Sequence, residues 1–181
     1  MNNTGIIYAF DLNKNRLKTL RKLHARAGVT CVVSKLQNFL EVDPWDPQYA
    51  KVGYILVDPS CSGSGIVGRH NLQTDDNDNK IQKTNRLKRL SAFQLSLLLH
   101  AFQFPSVQRV CYSTCSIHVE ENESVVKIAL SLQKKFVLAP ILPTWHRRGD
   151  EAVLGEDAKK VVRVSPVDGA NGFFVALFQK K

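Results

Sequence analysis

Three residues of this chain combine a reactive type with a place at the end of a strand-like run. Asp58 and Cys61 follow Tyr54, Ile55, Leu56 and Val57 in the stretch YILVDPSCSGSG, and Cys115 closes the run VQRVCYSTCS from Val107 to Ser116. A carboxylate can hold or move a proton, and a thiol becomes a nucleophile when it ionises. Asp58-Pro59 stops the first run, and the Gly/Ser loop that follows lets the backbone approach a ligand closely. In open α/β sheets ligands bind beyond the carboxyl ends of the strands, so two strand-end cysteines in neighbouring parallel strands would face each other across one cleft. The plainer alternative is an ordinary strand-to-loop turn with inert thiols, since free Cys is commonly buried.

The elements that must position these residues follow from periodicity. Residues 5–11, GIIYAFD, read as a strand, Asn13 to Ala27 as a helix with Leu17, Leu20 and Leu23 on one face, and Val29 to Ser34 as a second strand after the helix stop Gly28. That is a βαβ unit whose first strand ends in Asp11. An acid there accepts hydrogen bonds from a nucleoside ribose in dinucleotide folds, and it equally suits a helix N-cap or the positive end of the helix dipole. After Gly65 periodicity is lost. Arg69 and His70 lead into DDNDN at 75–79 and then Lys80, Lys83, Arg86, Lys88 and Arg89, expected as a polar surface loop whose basic half either touches phosphates or begins a solvated helix. A helix over Leu87 to Phe104 is expected to end at Pro105, with a strand over 107–113 and a helix from Val119 to Lys134 behind it. Glu120, Glu121 and Glu123 sit where negative charge suits the helix dipole. Strands at 136–139, 161–164 and 172–178 then close the chain with a hairpin, giving a mixed sheet with an antiparallel edge.

A chain of 181 residues, 44% hydrophobic, has room for one α/β domain or a piece of one. Twenty-five basic against 16 acidic residues give a net charge of +9, which favours a polyanionic partner such as nucleic acid. No run approaches the ~18 apolar residues of a membrane helix, and nothing resembles a signal peptide, so a soluble protein without a membrane partner is expected. The four cysteines show no small-scaffold spacing, and Cys31 and Cys111 lie in apolar strand runs, so reduced thiols in a cytosolic or nuclear compartment follow. Gly63, Gly65 and Gly68 spell G-x-G-x-x-G, but a polar, helix-poor stretch follows where that fingerprint needs a helix. Cys111, Cys115 and His118 with Cys61 would make a metal set, which defines a weaker alternative, a metal-binding α/β module; C-x-x-C spacing is absent and no metal is expected.

The pairing of Asp58-Pro59-Ser60-Cys61 with Ser113-Thr114-Cys115-Ser116 resembles two motifs of the RsmB/Nop/Sun family of RNA cytosine carbon-5 methyltransferases. The Glu-Glu-Asn-Glu opening at Glu120 to Glu123 matches as well, and the likeness runs over nearly the whole chain. The long DPSCSGSG form, the segment FDLNKNRL at 10–17 and the ending at Asn171 to Phe174 look closest to the eukaryotic large-subunit rRNA branch. The resemblance implies a Rossmann-like class I fold, S-adenosylmethionine as cofactor, RNA, specifically rRNA, as substrate, and a nuclear, nucleolar address.

The resemblance also implies roles. Carbon-5 of cytosine becomes nucleophilic only after a thiolate adds to carbon-6, and Cys115 is the implied nucleophile. Asp58 would hydrogen-bond or protonate the pyrimidine edge and border the cofactor, Cys61 would assist breakdown of the adduct, Asp11 would hold the cofactor ribose and Arg16 would line the same site. The target base must be unstacked to reach such a pocket. Two departures from the family pattern carry expectations. Its Pro-Gly-x-Lys-Thr cofactor loop follows a first strand that should precede Ile6, so the chain is expected to start at the second strand, to lack the upstream RNA-binding region and to be inactive by itself. The sheet is then expected to split near its middle, leaving the edges of 6–10 and 54–58 without a neighbour. Leu36, Gln37 and Asn38 stand where many relatives carry an acid for the adenine side. A rival from another class is a noncatalytic RNA-binding or ribosome-assembly remnant of such an enzyme.

Overall fold

A computed structural model describes residues 1–66 and 80–181, and it divides the chain into two units, Met1–Asp43 and Pro44–Lys181. Gly68, Arg69, His70 and the DDNDN run lie outside the described residues. The first unit is the expected βαβ unit. Strand β1 (Ile7–Asp11) pairs in parallel with β2 (Val32–Leu36), from Ile7 opposite Val32 to Asp11 opposite Leu36, and helix α1 (Lys14–Arg26) connects them. Asn13 caps α1, accepting from the N–H groups of Asn15 and Arg16, and Gly28 at φ +66° turns the chain out of it. Of the three leucines expected on the buried face, Leu17 is buried, Leu20 half-buried and Leu23 exposed. Strand β2 starts three residues later than expected. Val29 N–H still bonds His24 O and Thr30 N–H bonds the Asn3 side chain, so these residues serve the turn, and Cys31 precedes the strand instead of lying in it.

The second unit holds a five-stranded mixed sheet in the order β3 (Tyr54–Val57), β4 (Arg109–Thr114), β7 (Phe173–Lys180), β5 (Phe136–Ala139), with β6 (Val162–Val164) also on β7. Strands β3 and β4 are parallel, and β7 runs antiparallel to β4, β5 and β6. The closing strand is therefore interior, not the antiparallel edge expected. Burial alternates along it, with Phe174, Ala176 and Phe178 on one face fully buried. Phe102, behind the sheet, stacks on Phe136 at 4.4 Å and meets Phe178 edge-on at 5.1 Å.

Helix α2 (Lys80–Ala101) begins seven residues before the expected Leu87 and ends three before Phe104. Gln, Lys and Arg are good helix formers, which extends the helix backward, and Pro105 forces the preceding residue out of the helical region. The expected helix from Val119 is broken into a 3-10 turn (Val119–Glu121) and α3 (Glu123–Leu132), because Asn122 leaves helical geometry. A short helix, α4 (Glu151–Leu154), precedes β6. Among the described residues β1 pairs with β2 alone and β3 with β4 alone, as expected for those two edges, and Tyr54 and Leu56 on β3 are exposed. No helix among the described residues is long and apolar enough to cross a membrane.

Candidate active site

Parallel pairing puts the carboxyl ends of β3 and β4 at one end of the sheet, and antiparallel β7 begins there. The last registered pair of β3 and β4 is Val57 with Tyr112, and Thr114 of β4 lies opposite Phe174. Segments 58–65, 113–118 and 171–173 therefore converge, and backbone bonds tie them: Gly65 N–H donates to Cys115 O at 3.0 Å and Gly172 N–H to Gly65 O at 2.7 Å. This crossing explains both glycines. A Cβ on Gly65 would stand 2.2 Å from Gly172 O, and one on Gly172 2.8 Å from Gly65 Cα.

At this junction Cys61 and Cys115 come together, with Sγ atoms 3.1 Å apart and both half-buried. All four cysteines are free thiols. Burial first, then the hydrogen bond with Cys115, push the Cys61 thiol up to about 12, so Cys61 keeps its proton at neutral pH. Asp58, exposed at the end of β3, accepts from Ser113 Oγ at 3.0 Å. Cys111 lies within β4, and burial together with the Asp58 charge raises its thiol. Among the described residues no group of three or more His, Cys, Asp or Glu side chains could hold a metal ion.

The cysteines are held by residues that the dipole reading of the acidic run did not single out. Glu121, fully buried, is the centre of the arrangement. Its Oε1 accepts from Ser62 N–H and from Gln94 Nε2, both at 2.9 Å, and its Oε2 accepts from the hydroxyls of Ser62 and Ser116. Burial alone would raise this carboxyl, but the bonds from Ser116, Ser62 and Gln94 together outweigh it and hold the group below its ordinary range. Gln94, on α2, also donates to Ser60 O at 3.1 Å. Tyr112 donates to Glu121 O, and its hydroxyl is pushed up by burial and then by the Glu121 charge. Asn122 accepts from Thr114 Oγ1 at 2.6 Å and donates to Ser116 O at 2.9 Å, which is why the helix breaks there. Glu123, also fully buried, pairs with the Arg163 guanidinium, which donates to Ile117 O as well. Glu120 alone of the three acids is exposed, in keeping with the dipole reading.

In the first unit Asn13 caps α1, and Asp11 instead sits just before that helix end, where the dipole favours an acid. Asp11 Oδ1 accepts from Asn13 N–H at 2.7 Å and from Arg16 Nε and Nη2 at 3.2 and 2.9 Å. Among the described residues nothing hydrogen-bonds Oδ2, so one carboxylate oxygen stays available to an incoming hydroxyl while Arg16 fixes the group. Leu36 ends β2 opposite Asp11.

A family model described as "16S rRNA methyltransferase RsmB/F" matches residues 1–179. The "28S rRNA (cytosine-C(5))-methyltransferase" of Mus musculus is 44% identical, over 99% of this chain and 38% of that protein. The "25S rRNA (cytosine-C(5))-methyltransferase NSUN5" of Arabidopsis thaliana is 41% identical, over 98% of this chain and 32% of its own length. The chain thus spans less than half the length of either curated relative. Among solved structures, a methyltransferase homologue from Pyrococcus horikoshii superposes with a TM-score of 0.78 at 30% identity, covering 100% of this chain and 55% of that one.

Proposed function

The chain belongs to the RsmB/F methyltransferase family, and on that premise we propose that residues 1–181 form part of the catalytic domain of an enzyme that methylates carbon-5 of cytosine in RNA, specifically large-subunit rRNA. Its work would lie in the nucleus, at the nucleolus. The observation that carries the reading is the 3.1 Å approach of Cys61 and Cys115 at neighbouring parallel strand ends, with one thiol held protonated. Such a pair has two distinct parts to play. Cys115 is the nucleophile. Its thiolate forms a bond to carbon-6, and the ring electrons displaced toward carbon-5 make that carbon able to attack an electrophile. Asp58, exposed beside it, meets the pyrimidine edge and steadies the charge that the addition creates. Once carbon-5 carries the methyl group it must give up its proton to a base as the carbon–sulfur bond breaks, and the Cys61 sulfur, 3.1 Å from Cys115, lies within hydrogen-bond reach of the departing thiolate.

S-adenosylmethionine supplies the electrophilic methyl group. The donor set fits it at one point that can be named: Asp11 Oδ2 is an unshared acceptor suited to a ribose hydroxyl, with Arg16 orienting the carboxylate from its other oxygen.

Covalent trapping tests the reading. The chain, and a longer one carrying the upstream region of its relatives, would be incubated with S-adenosylmethionine and rRNA fragments containing 5-azacytidine. A denaturation-resistant adduct lost in Cys115→Ala and kept in Cys61→Ala is the expected result. No adduct from either folded chain overturns the enzymatic reading and leaves the RNA-binding remnant as the better account.

A further inference from the structure

Helix α2 carries two things at once. Its Gln94 holds Ser60 O and Glu121, and so fixes the loop of Cys61, while Lys83, Arg86, Lys88 and Arg89 in its first turns are exposed. Lys80, Lys83, Arg86, Lys88 and Arg89 fall in its first ten residues, and none of its 22 residues is acidic. Cations there are opposed by the roughly half positive charge of a helix N-terminus, so the fold itself disfavours this arrangement. Among the described residues no ion pair reaches Lys83, Arg86, Lys88 or Arg89, and the nearest acids in sequence, Asp75, Asp76 and Asp78, lie outside the described residues. Gln82, Asn85, Arg86, Arg89, Leu90 and Phe93 line one surface depression, at the spacing of a single helix face, and Phe93 is 39% exposed.

We propose that the α2 face bearing Arg86, Arg89 and Phe93 is the surface along which the single strand of RNA flanking the target base runs. The assignment rests on the methyltransferase reading, which puts the target base at Cys115. Charge complementarity selects a polyanion, and an exposed aromatic ring at the end of a row of guanidinium groups and side-chain amides selects one with bases to stack. Position agrees. At about 1.5 Å of rise per residue, Arg89 and Arg86 lie about 7.5 and 12 Å along the helix from Gln94, within reach of the nucleotides beside the reacting one.

Fluorescence anisotropy of a labelled single-stranded RNA, titrated over a range of salt, tests this with the intact chain. Arg86→Gln/Arg89→Gln is expected to flatten the dependence of log affinity on log salt by about 1.4, at about 0.7 per phosphate contact, and to weaken binding about tenfold near 0.15 M salt. Phe93→Ala is expected to weaken it by about tenfold with the slope unchanged. Lys159→Gln/Lys160→Gln removes the same charge from two lysines that already pair with Glu156 and Asp157, and is expected to leave both quantities unchanged. An unaltered slope in the arginine variant, an equal loss in the lysine variant, or no RNA binding by the wild-type chain overturns the proposal. Adduct yield with 5-azacytidine RNA, read in the same samples, reports separately on the methyltransferase reading. A normal adduct with an unaltered slope sinks only the surface, and a shifted slope without adduct sinks only the chemistry.

Discussion

Substituting Glu121 separates a structural carboxylate from an ornamental one, and the bonds it accepts set the size of the effect. Four donors converge on it: Ser62 N–H, Gln94 Nε2 and the hydroxyls of Ser62 and Ser116. In Glu121→Gln the retained oxygen can take the two N–H donors, and the new amide can donate to both serines, whose hydroxyls rotate to accept. Both N–H donors keep an acceptor, but the serine protons must turn away from the new amide and charge-assisted bonds become neutral ones, so the loss should be about 1–2 kcal/mol. Glu121→Ala has no such repair. Ser62 N–H loses its acceptor in a buried site, Gln94 Nε2 keeps only Ser60 O as an acceptor, and a cavity opens, for a combined cost of about 3–5 kcal/mol. Urea unfolding followed by tryptophan fluorescence measures both, because Trp45 and Trp145 lie in the unit that contains Glu121. The pH dependence adds a second reading. The folded-state carboxyl lies below its ordinary value of 4.5, so its contribution is fully present above that value and is lost as pH falls through the lower folded-state one. Wild type should therefore lose stability on acidification more steeply than Glu121→Gln. A cost below about 1 kcal/mol for the alanine variant, or equal acid sensitivity of wild type and glutamine variant, would refute the assignment.

Two further substitutions test the junction. Gly65→Ala would drive a methyl to 2.2 Å from the Gly172 carbonyl, and since both partners are backbone the strand ends must part; a loss of about 3 kcal/mol in urea unfolding is expected, and wild-type stability would show that the crossing is not tight. Arg163→Ala leaves Glu123 buried without its partner, at about 3–5 kcal/mol, whereas Glu123→Gln/Arg163→Met should recover most of that loss; a double variant no better than the single one would contradict an ion-pair origin.

How much of this was legible in the sequence depends on what each signal encodes. Runs such as IYAFD, YILV and VCYST announce strands by composition, and the parallel pairing of the last two then brings Cys61 and Cys115 to one end of the sheet. The place of β7 was not legible, because strand order is set by pairing partners far away in sequence, and GFFVALF looks the same as an edge hairpin or as an interior strand. The role of Glu121 was hidden for a different reason. Three acids at a helix start satisfy the dipole rule so well that nothing in the pattern distinguishes the exposed Glu120 from the fully buried Glu121 and Glu123. Ser62, Ser64 and Ser116 bring hydroxyls that need acceptors, but Asp58 and Glu120 lie nearer to them in sequence than Glu121 does, so the serines do not single it out either. Sequence reading likewise placed α2 too late, since its basic turns carry no apolar period and only tolerance for helix.

The proton count within that cluster ties the cysteines to the charge of one carboxylate. Each serine hydroxyl has a single proton. Ser62 and Ser116 both direct theirs to Glu121 Oε2, so the 3.1 and 3.2 Å contacts from Ser64 Oγ to these two oxygens can be served only by the proton of Ser64, to one of them at a time. Ser64 Oγ in turn accepts from Ile117 N–H, and Ser116 Oγ from His118 N–H. Ser62 N–H, Gln94 Nε2 and the hydroxyls of Ser62 and Ser116 all point at the carboxylate, so a proton on it would face donors. Protonating Glu121 would add a donor where only acceptors fit, and one of the two hydroxyls would have to turn away. Ser62 follows Cys61 and Ser116 follows Cys115, so the bond that breaks is one that ties a sulfur-bearing segment to the carboxylate. An ionised, fully buried glutamate thus joins the two segments whose thiols stand 3.1 Å apart.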